Sequence, residues 1–178
     1  MLPTDQIEEK LKFVVNSETW KRFVHQFTNA DRIFIVGNGG LYAIAQHGAD
    51  DIVRLTGKKV LTLDSPCMLT SLANDYGYEF VFKRWLQNES CKKGDMVIGM
   101  SCSGMSDNIM AALHHAQYMD ADSFLICGGN RMPQHGVNVL QLGTQHYHTT
   151  EILCLFLLYQ IVYSMGYSCP QIKGHEQK

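Results

Sequence analysis

Residues 101 to 108 read SCSGMSDN and residues 37 to 40 read GNGG, and both stretches carry groups that can hold a phosphate. The hydroxyls of Ser101, Ser103 and Ser106 can donate to anionic oxygens, and Gly104 lets the backbone approach closely. In the first stretch Gly39 and Gly40 suit a tight turn, and Asn38 adds a side-chain amide. Each stretch follows a strand-like run, RIFIVG (32–37) or DMVIGMS (95–101), and precedes a helical pattern. A helix N-terminus leaves backbone N–H groups unpaired and carries partial positive charge, so anions are favoured there. Two such turns fit a phosphorylated small molecule. For the second stretch the competing reading is a plain helix cap at Ser106 or Asp107. GNGG does not complete GxGxxG, and the chain has no GxxxxGK[ST], so dinucleotide and nucleoside triphosphate binding lose support.

The elements that must position these loops follow from hydrophobic periodicity. Residues 5 to 29 have apolar positions three and four apart, which predicts a helix in two pieces broken near Asn16-Ser17. RIFIVG, KKVLTL (58–63), DMVIGMS, SFLICGG (123–129) and NVLQLG (138–143) read as five buried strands. Helices are expected over 41–55, 68–86, 107–119 and 150–165. Alternation of this kind predicts a three-layer α/β/α sandwich around a five-stranded parallel sheet, doubly wound as in flavodoxin. Such sheets bind ligands at the carboxyl ends of their strands, which is where both glycine-bearing loops fall. The aromatic stretch NDYGYEFVF (74–82) is expected to pack a helix against the sheet. His114 and His115 are expected on an exposed helix with no special task.

Bulk properties narrow the partners. The chain of 178 residues, 46% of them hydrophobic, is long enough for one core, so residues 1–178 are expected to form one domain with a helical N-terminal segment over about 1–30. A net charge of −2 gives no reason to expect nucleic acid or an anionic membrane as partner. The longest apolar run, 152–163, is shorter than a bilayer span and is interrupted by Gln160. The N-terminus lacks the basic-then-apolar order of a secretory signal, and the six cysteines form no CxxC pair. A soluble, cytoplasmic protein with reduced thiols is expected.

Three blocks occur in order: GNGGLYAIAQH (37–47), TLDSPCMLTSLANDYGYEFVFKR (62–84) and GDMVIGMSCSGMSDNI (94–109). Together they resemble the sugar isomerase (SIS) domain, and the branch they resemble most is the phosphoheptose isomerases. The resemblance implies a homotetramer with sites near subunit contacts and a phosphosugar clasped by the serine loop. By that comparison Asn38, Gly39, Gly40, Asp64, Ser101, Cys102, Ser103 and Ser106 bind substrate, with Cys102 where threonine is usual. Leu41 replaces a serine that commonly adds a phosphate contact, and can donate only its backbone N–H.

A ketose–aldose isomerase moves a proton between adjacent carbons, which requires a base, an acid and a stabiliser of negative charge. His47 and Asp51 are four apart on an expected helix and share one face. In the resembling isomerases this histidine binds zinc, and the acidic residue four later is ligand and acid/base, so His47 and Asp51 are the catalytic candidates. Asp51 is one methylene shorter than the usual glutamate. On the last helix the family's glutamine and histidine fall at Thr150 and Leu158, when its glutamate is aligned with Glu151. Neither replacement can ligate a metal as the originals do. His146 and His148 could rebuild a zinc site with His47 and Asp51; otherwise they are polar residues of a surface loop. Two functions stand open at this point. One is an isomerase acting on sedoheptulose 7-phosphate or a related sugar phosphate. The other is a non-catalytic module that binds a phosphosugar or a protein partner.

Overall fold

The structure is a computed structural model that describes residues 4–129 and 136–172. Its centre is a parallel five-stranded sheet made of β1 (Ile33–Gly37), β2 (Val60–Leu61), β3 (Met96–Ser101), β4 (Asp122–Cys127) and β5 (Asn138–Gln141). The strand order is β2-β1-β3-β4-β5, the expected doubly wound arrangement. β1 lies against β3 along its whole length, from Ile33 opposite Met96 to Gly37 opposite Met100. Strand alternation sends Ile33 and Ile35 to one face and Phe34 and Val36 to the other.

On the first face lie α1 (Thr4–Val15), α2 (Glu18–Asn29), α3 (Gly40–Thr56) and α7 (Tyr147–Ser164); on the second lie α4 (Pro66–Tyr76), α5 (Val81–Asn88) and α6 (Asp107–Tyr118). The break between α1 and α2 falls where expected. There Ser17 caps α2 by accepting from the Trp20 N–H at 3.1 Å. α7 packs along α3 and buries Leu153, Leu157, Leu158 and Ile161, and no helix among the described residues is long and apolar enough to cross a membrane.

Four elements differ from the sequence expectation. The helix expected over 68–86 is interrupted: Gly77, at φ +85°, ends α4, and a 3₁₀ turn over Tyr78–Phe80 leads into α5. The second strand pairs over only Val60–Leu61, because it is an edge strand with β1 as its single neighbour. α7 starts at Tyr147 rather than Thr150, so His146 is its N-cap and His148 lies in its first turn. His115 is buried and His114 half-buried, because α6 is wedged between α5 and the sheet instead of lying open.

Candidate active site

The two glycine-bearing loops meet at the switch point of the sheet. The chain leaves β1 for α3 on one face and leaves β3, its neighbour, for α6 on the other, which opens a crevice between the loops. A reciprocal amide pair crosses it: Asn38 Nδ2 donates to Asn108 Oδ1, and Asn108 Nδ2 donates to Asn38 Oδ1, both at 2.9 Å. Tyr78 donates its hydroxyl to the same Asn38 oxygen at 2.9 Å. The 3₁₀ turn that breaks the expected helix is therefore what brings Tyr78 to the crevice. Tyr76, Tyr78 and Phe80 are exposed here, and the aromatics that pack on the sheet are Phe82 and Trp85.

Inside the serine loop the hydroxyls have distinct tasks. Ser101 is buried, and its Oγ accepts from Gly104 N at 3.1 Å and pairs with Ser106 Oγ at 2.9 Å. Ser106 is the N-cap of α6, yet its side chain makes no capping bond, so the plain-cap reading fails. Ser103 is exposed and accepts from Met105 N at 3.1 Å, which leaves its proton for another acceptor. If Ser101 directs its one proton to Ser106, the Ser106 proton is likewise available to a ligand. Cys102 is half-buried, and burial pushes its thiol pKa up, followed by the negative charge of Glu151. Leu41 turns its side chain into the core and its N–H to Asn38 O at 3.1 Å, so that N–H serves the turn and not a ligand.

Gly39 has φ +57°, a conformation that favours glycine, and it opens α3. A Cβ on Gly40 would lie 2.4 Å from Glu151 Oε1, so the Glu151 carboxylate rests against the first residue of α3, between the first loop and Cys102. Asp64 is exposed between β2 and α4. Beside it, Tyr42 donates to the Leu63 carbonyl, and its pKa is raised by burial and then by the Asp64 charge. A cavity of about 270 Å³ adjoins the serine loop and is lined by Cys102, Ser103, Thr144, His146 and Thr150 among others.

His47 and Asp51 do come together, but not with the other histidines. His47 Nε2 lies 3.8 Å from Asp51 Oδ2, and Tyr159 from α7 places its hydroxyl 2.7 Å from His47 Nε2. Arg54 donates to Asp51 Oδ1 at 2.5 Å, and this guanidinium holds the Asp51 carboxyl below the usual carboxylate range. His146 and His148 sit at the start of α7, roughly 16–20 Å from Tyr159 along the helix axis. The four expected zinc ligands thus do not converge within the chain. Among the described residues no three His, Cys, Asp or Glu side chains surround a common point that could hold a metal. Zinc takes three or four such ligands, so the donor set present does not fit it. Thr150 Oγ1 instead donates to His146 O at 2.9 Å, and Leu158 is buried against Gly48, where a Cβ would lie 2.4 Å from Leu158 Cδ1.

The chain is 31% identical to phosphoheptose isomerase 2 of Campylobacter jejuni over 164 residues, covering 83% of this chain and 81% of that protein. The chain belongs to the phosphoheptose isomerase family. Two solved structures of such isomerases share its fold. That from Neisseria gonorrhoeae superimposes with a TM-score of 0.75 at 22% identity, covering 90% of this chain and 91% of the other. That from Francisella tularensis gives 0.77 at 16% identity, with the same coverage of 90% and 91%. No family model matches the chain. Asn108, Tyr78 and Tyr159 join the candidate site although periodicity and spacing did not single them out, and Glu151 had a signal only in the alignment with the family's glutamate. Asn108 had a signal of its own, an amide at the start of a helix that follows a phosphate-type loop; the two tyrosines reach the site only through tertiary packing.

Proposed function

We propose that the chain binds a phosphosugar and isomerises it between ketose and aldose, with sedoheptulose 7-phosphate or a related sugar phosphate as substrate. The observation that carries this reading is the crevice itself. Two strand-end loops are joined by the Asn38–Asn108 pair at the starts of α3 and α6, and the second of them carries the Ser103 and Ser106 hydroxyls. The family relationship supports the same chemistry. The phosphate takes the serine loop, and the rest of the sugar extends over Asn38, Gly39 and Gly40 towards Asp64. A proton then leaves the carbon bearing the hydroxyl and returns to the neighbouring carbon, while another moves between their oxygens.

Two sets of groups are placed to carry protons. Glu151 stands at the edge of the phosphate crevice, and the His47–Asp51 pair lies on α3, about 10 Å along that helix from Gly40. Leu158 offers no proton, and lost general acid–base help typically costs roughly 10²–10⁴-fold in rate. Turnover is therefore expected to be slow beside a relative that keeps a histidine there. We further propose one domain over the whole chain and a homotetramer located in the cytoplasm. The single cysteines with no CxxC pair and the exposed Ile152, Phe156 and Tyr163 along α7 support these assignments. The deciding experiment is product formation from sedoheptulose 7-phosphate, with binding measured in parallel. Binding without product in the presence of excess enzyme would favour the non-catalytic module.

A further inference from the structure

Glu151 brings a carboxylate to the crevice from a third element. It stands in the second turn of α7 and is half-buried. Its Oε1 lies 2.4 Å and its Oε2 3.1 Å from the point that a Gly40 Cβ would occupy, so the carboxylate fills the room this glycine leaves. Gly40 opens α3, whose first turn carries no acidic residue of its own. A helix start is partly positive, and here the negative charge comes from a neighbouring helix. Among the described residues no lysine, arginine or histidine pairs with Glu151, so another side chain does not neutralise it.

The serine loop is close by. Thr150 Oγ1 lies 2.5 Å, and the Cys102 carbonyl oxygen 3.1 Å, from where a Cβ on Gly128 would be. Cys102 and Thr150 both line the cavity of about 270 Å³. The two glycine-bearing loops leave neighbouring strands, with Gly37 opposite Met100, roughly 5 Å apart. A ligand seated on the serine loop therefore meets the field of Glu151. The two ends of the crevice differ in kind. At α6 the hydroxyls of Ser103 and Ser106 are donors, and the first-turn acid, Asp107, is exposed to water. At α3 a carboxylate already rests on the helix start. A second anion brought there is repelled, whereas a sugar hydroxyl can donate to it.

We propose that Glu151 is a specificity-determining residue that reserves the crevice for sugars carrying a single phosphate. Its carboxylate holds the start of α3 against a second anionic group, such as the other phosphate of a bisphosphate, and accepts from the neutral, hydroxyl-bearing end of a monophosphate. The choice of sugar rests on the phosphosugar reading of this site; the exclusion of anions by Glu151 does not.

Calorimetric titration of the full chain with sedoheptulose 7-phosphate and with its 1,7-bisphosphate reads the discrimination directly. The wild type should bind the bisphosphate at least ~10-fold more weakly than the monophosphate. Glu151→Gln should raise bisphosphate affinity and close most of that gap, while Glu151→Asp, which keeps the charge, should preserve it. Alkylation of Cys102 tests the same charge without any sugar. Iodoacetate is an anion and iodoacetamide is neutral, and the same thiolate attacks both, so their rate ratio is independent of the thiol pKa. Mass spectrometry of the Cys102 peptide should show the iodoacetate-to-iodoacetamide ratio rising severalfold in Glu151→Gln, with the exposed Cys67 and Cys169 unchanged as internal references. Equal binding of both sugars by the wild type, or no rise in the alkylation ratio, would overturn the proposal. If neither sugar binds, the phosphosugar reading falls, and the alkylation ratio still decides whether Glu151 turns anions away.

Discussion

At the scale of single residues, the serine loop separates ligand holding from loop building. Ser103 uses its oxygen for Met105 N and has a free proton, so Ser103→Ala should weaken phosphosugar binding by about 1–2 kcal/mol with little effect on the fold. Ser101 is buried and holds both Gly104 N and Ser106, so Ser101→Ala should lower the melting temperature as well as the affinity. Calorimetric titration beside thermal melts distinguishes the two patterns. Gly40 makes a second case. The atom its Cβ would meet is the end of a flexible side chain, so Gly40→Ala should fold and push the Glu151 carboxylate aside. If Glu151 carries a proton, the variant should lose kcat by ~10²-fold or more while retaining most of its binding. A rise in KM alone would assign Glu151 to binding. The serine loop and Asn38 were legible in the sequence because their residue types are costly between a strand and a helix. Tyr159 was not, since a phenol on an apolar helix gains a role only from the neighbour that faces it, and Glu151 was legible only through the family's glutamate and not from its spacing.

At the scale of elements, the long apolar strands were the most legible, since burial on both faces demands continuous β-branched and aromatic runs. The 68–86 segment misled because its helical spacing persists through Gly77, whose positive φ ends the helix. α6 misled for a different reason: polar histidines suggest solvent, but α5 covers that side. Burial lowers the pKa of His115, helped by the positive charge of Lys83. The unfolded chain therefore binds more protons near pH 6, and stability should be lost as pH falls through the ordinary histidine value of about 6.5. Melts at pH 7.5 and 5.5 should show a smaller drop for His115→Gln than for the wild type. The base of the sheet is held differently, by Arg32 donating to Asp95 at 3.0 and 2.6 Å, with Asp95 also accepting from Lys92 N at 2.9 Å. Asp95 is buried, so Asp95→Ala takes the counter-charge from Arg32, which keeps only its bonds to Glu89 O and Ser90 O, leaves the Lys92 amide without its acceptor, and should cost about 3 kcal/mol in chemical denaturation.

At the scale of the whole molecule, α7 carries two assignments at once. Its inner side completes the core, and Ile152, Phe156 and Tyr163 face outward. Exposed apolar residues in one stripe favour association, and sedimentation at micromolar concentration should give a species of four times the 20.1 kDa chain mass. A species of chain mass would reject the tetramer, and Phe156→Glu should shift the distribution towards smaller species. The packing of α7 also has a consequence for how the molecule is made. One face of the sheet is sealed only by helices that include α7, which is translated after every strand it covers. A ribosome that has released β1 through β5 still holds that last helix, so the part of the face that α7 completes stays open to water until synthesis has passed Val162. During that interval the nascent chain presents a sticky sheet to the cell, and a ligand that clasps the finished loops arrives too late to protect it.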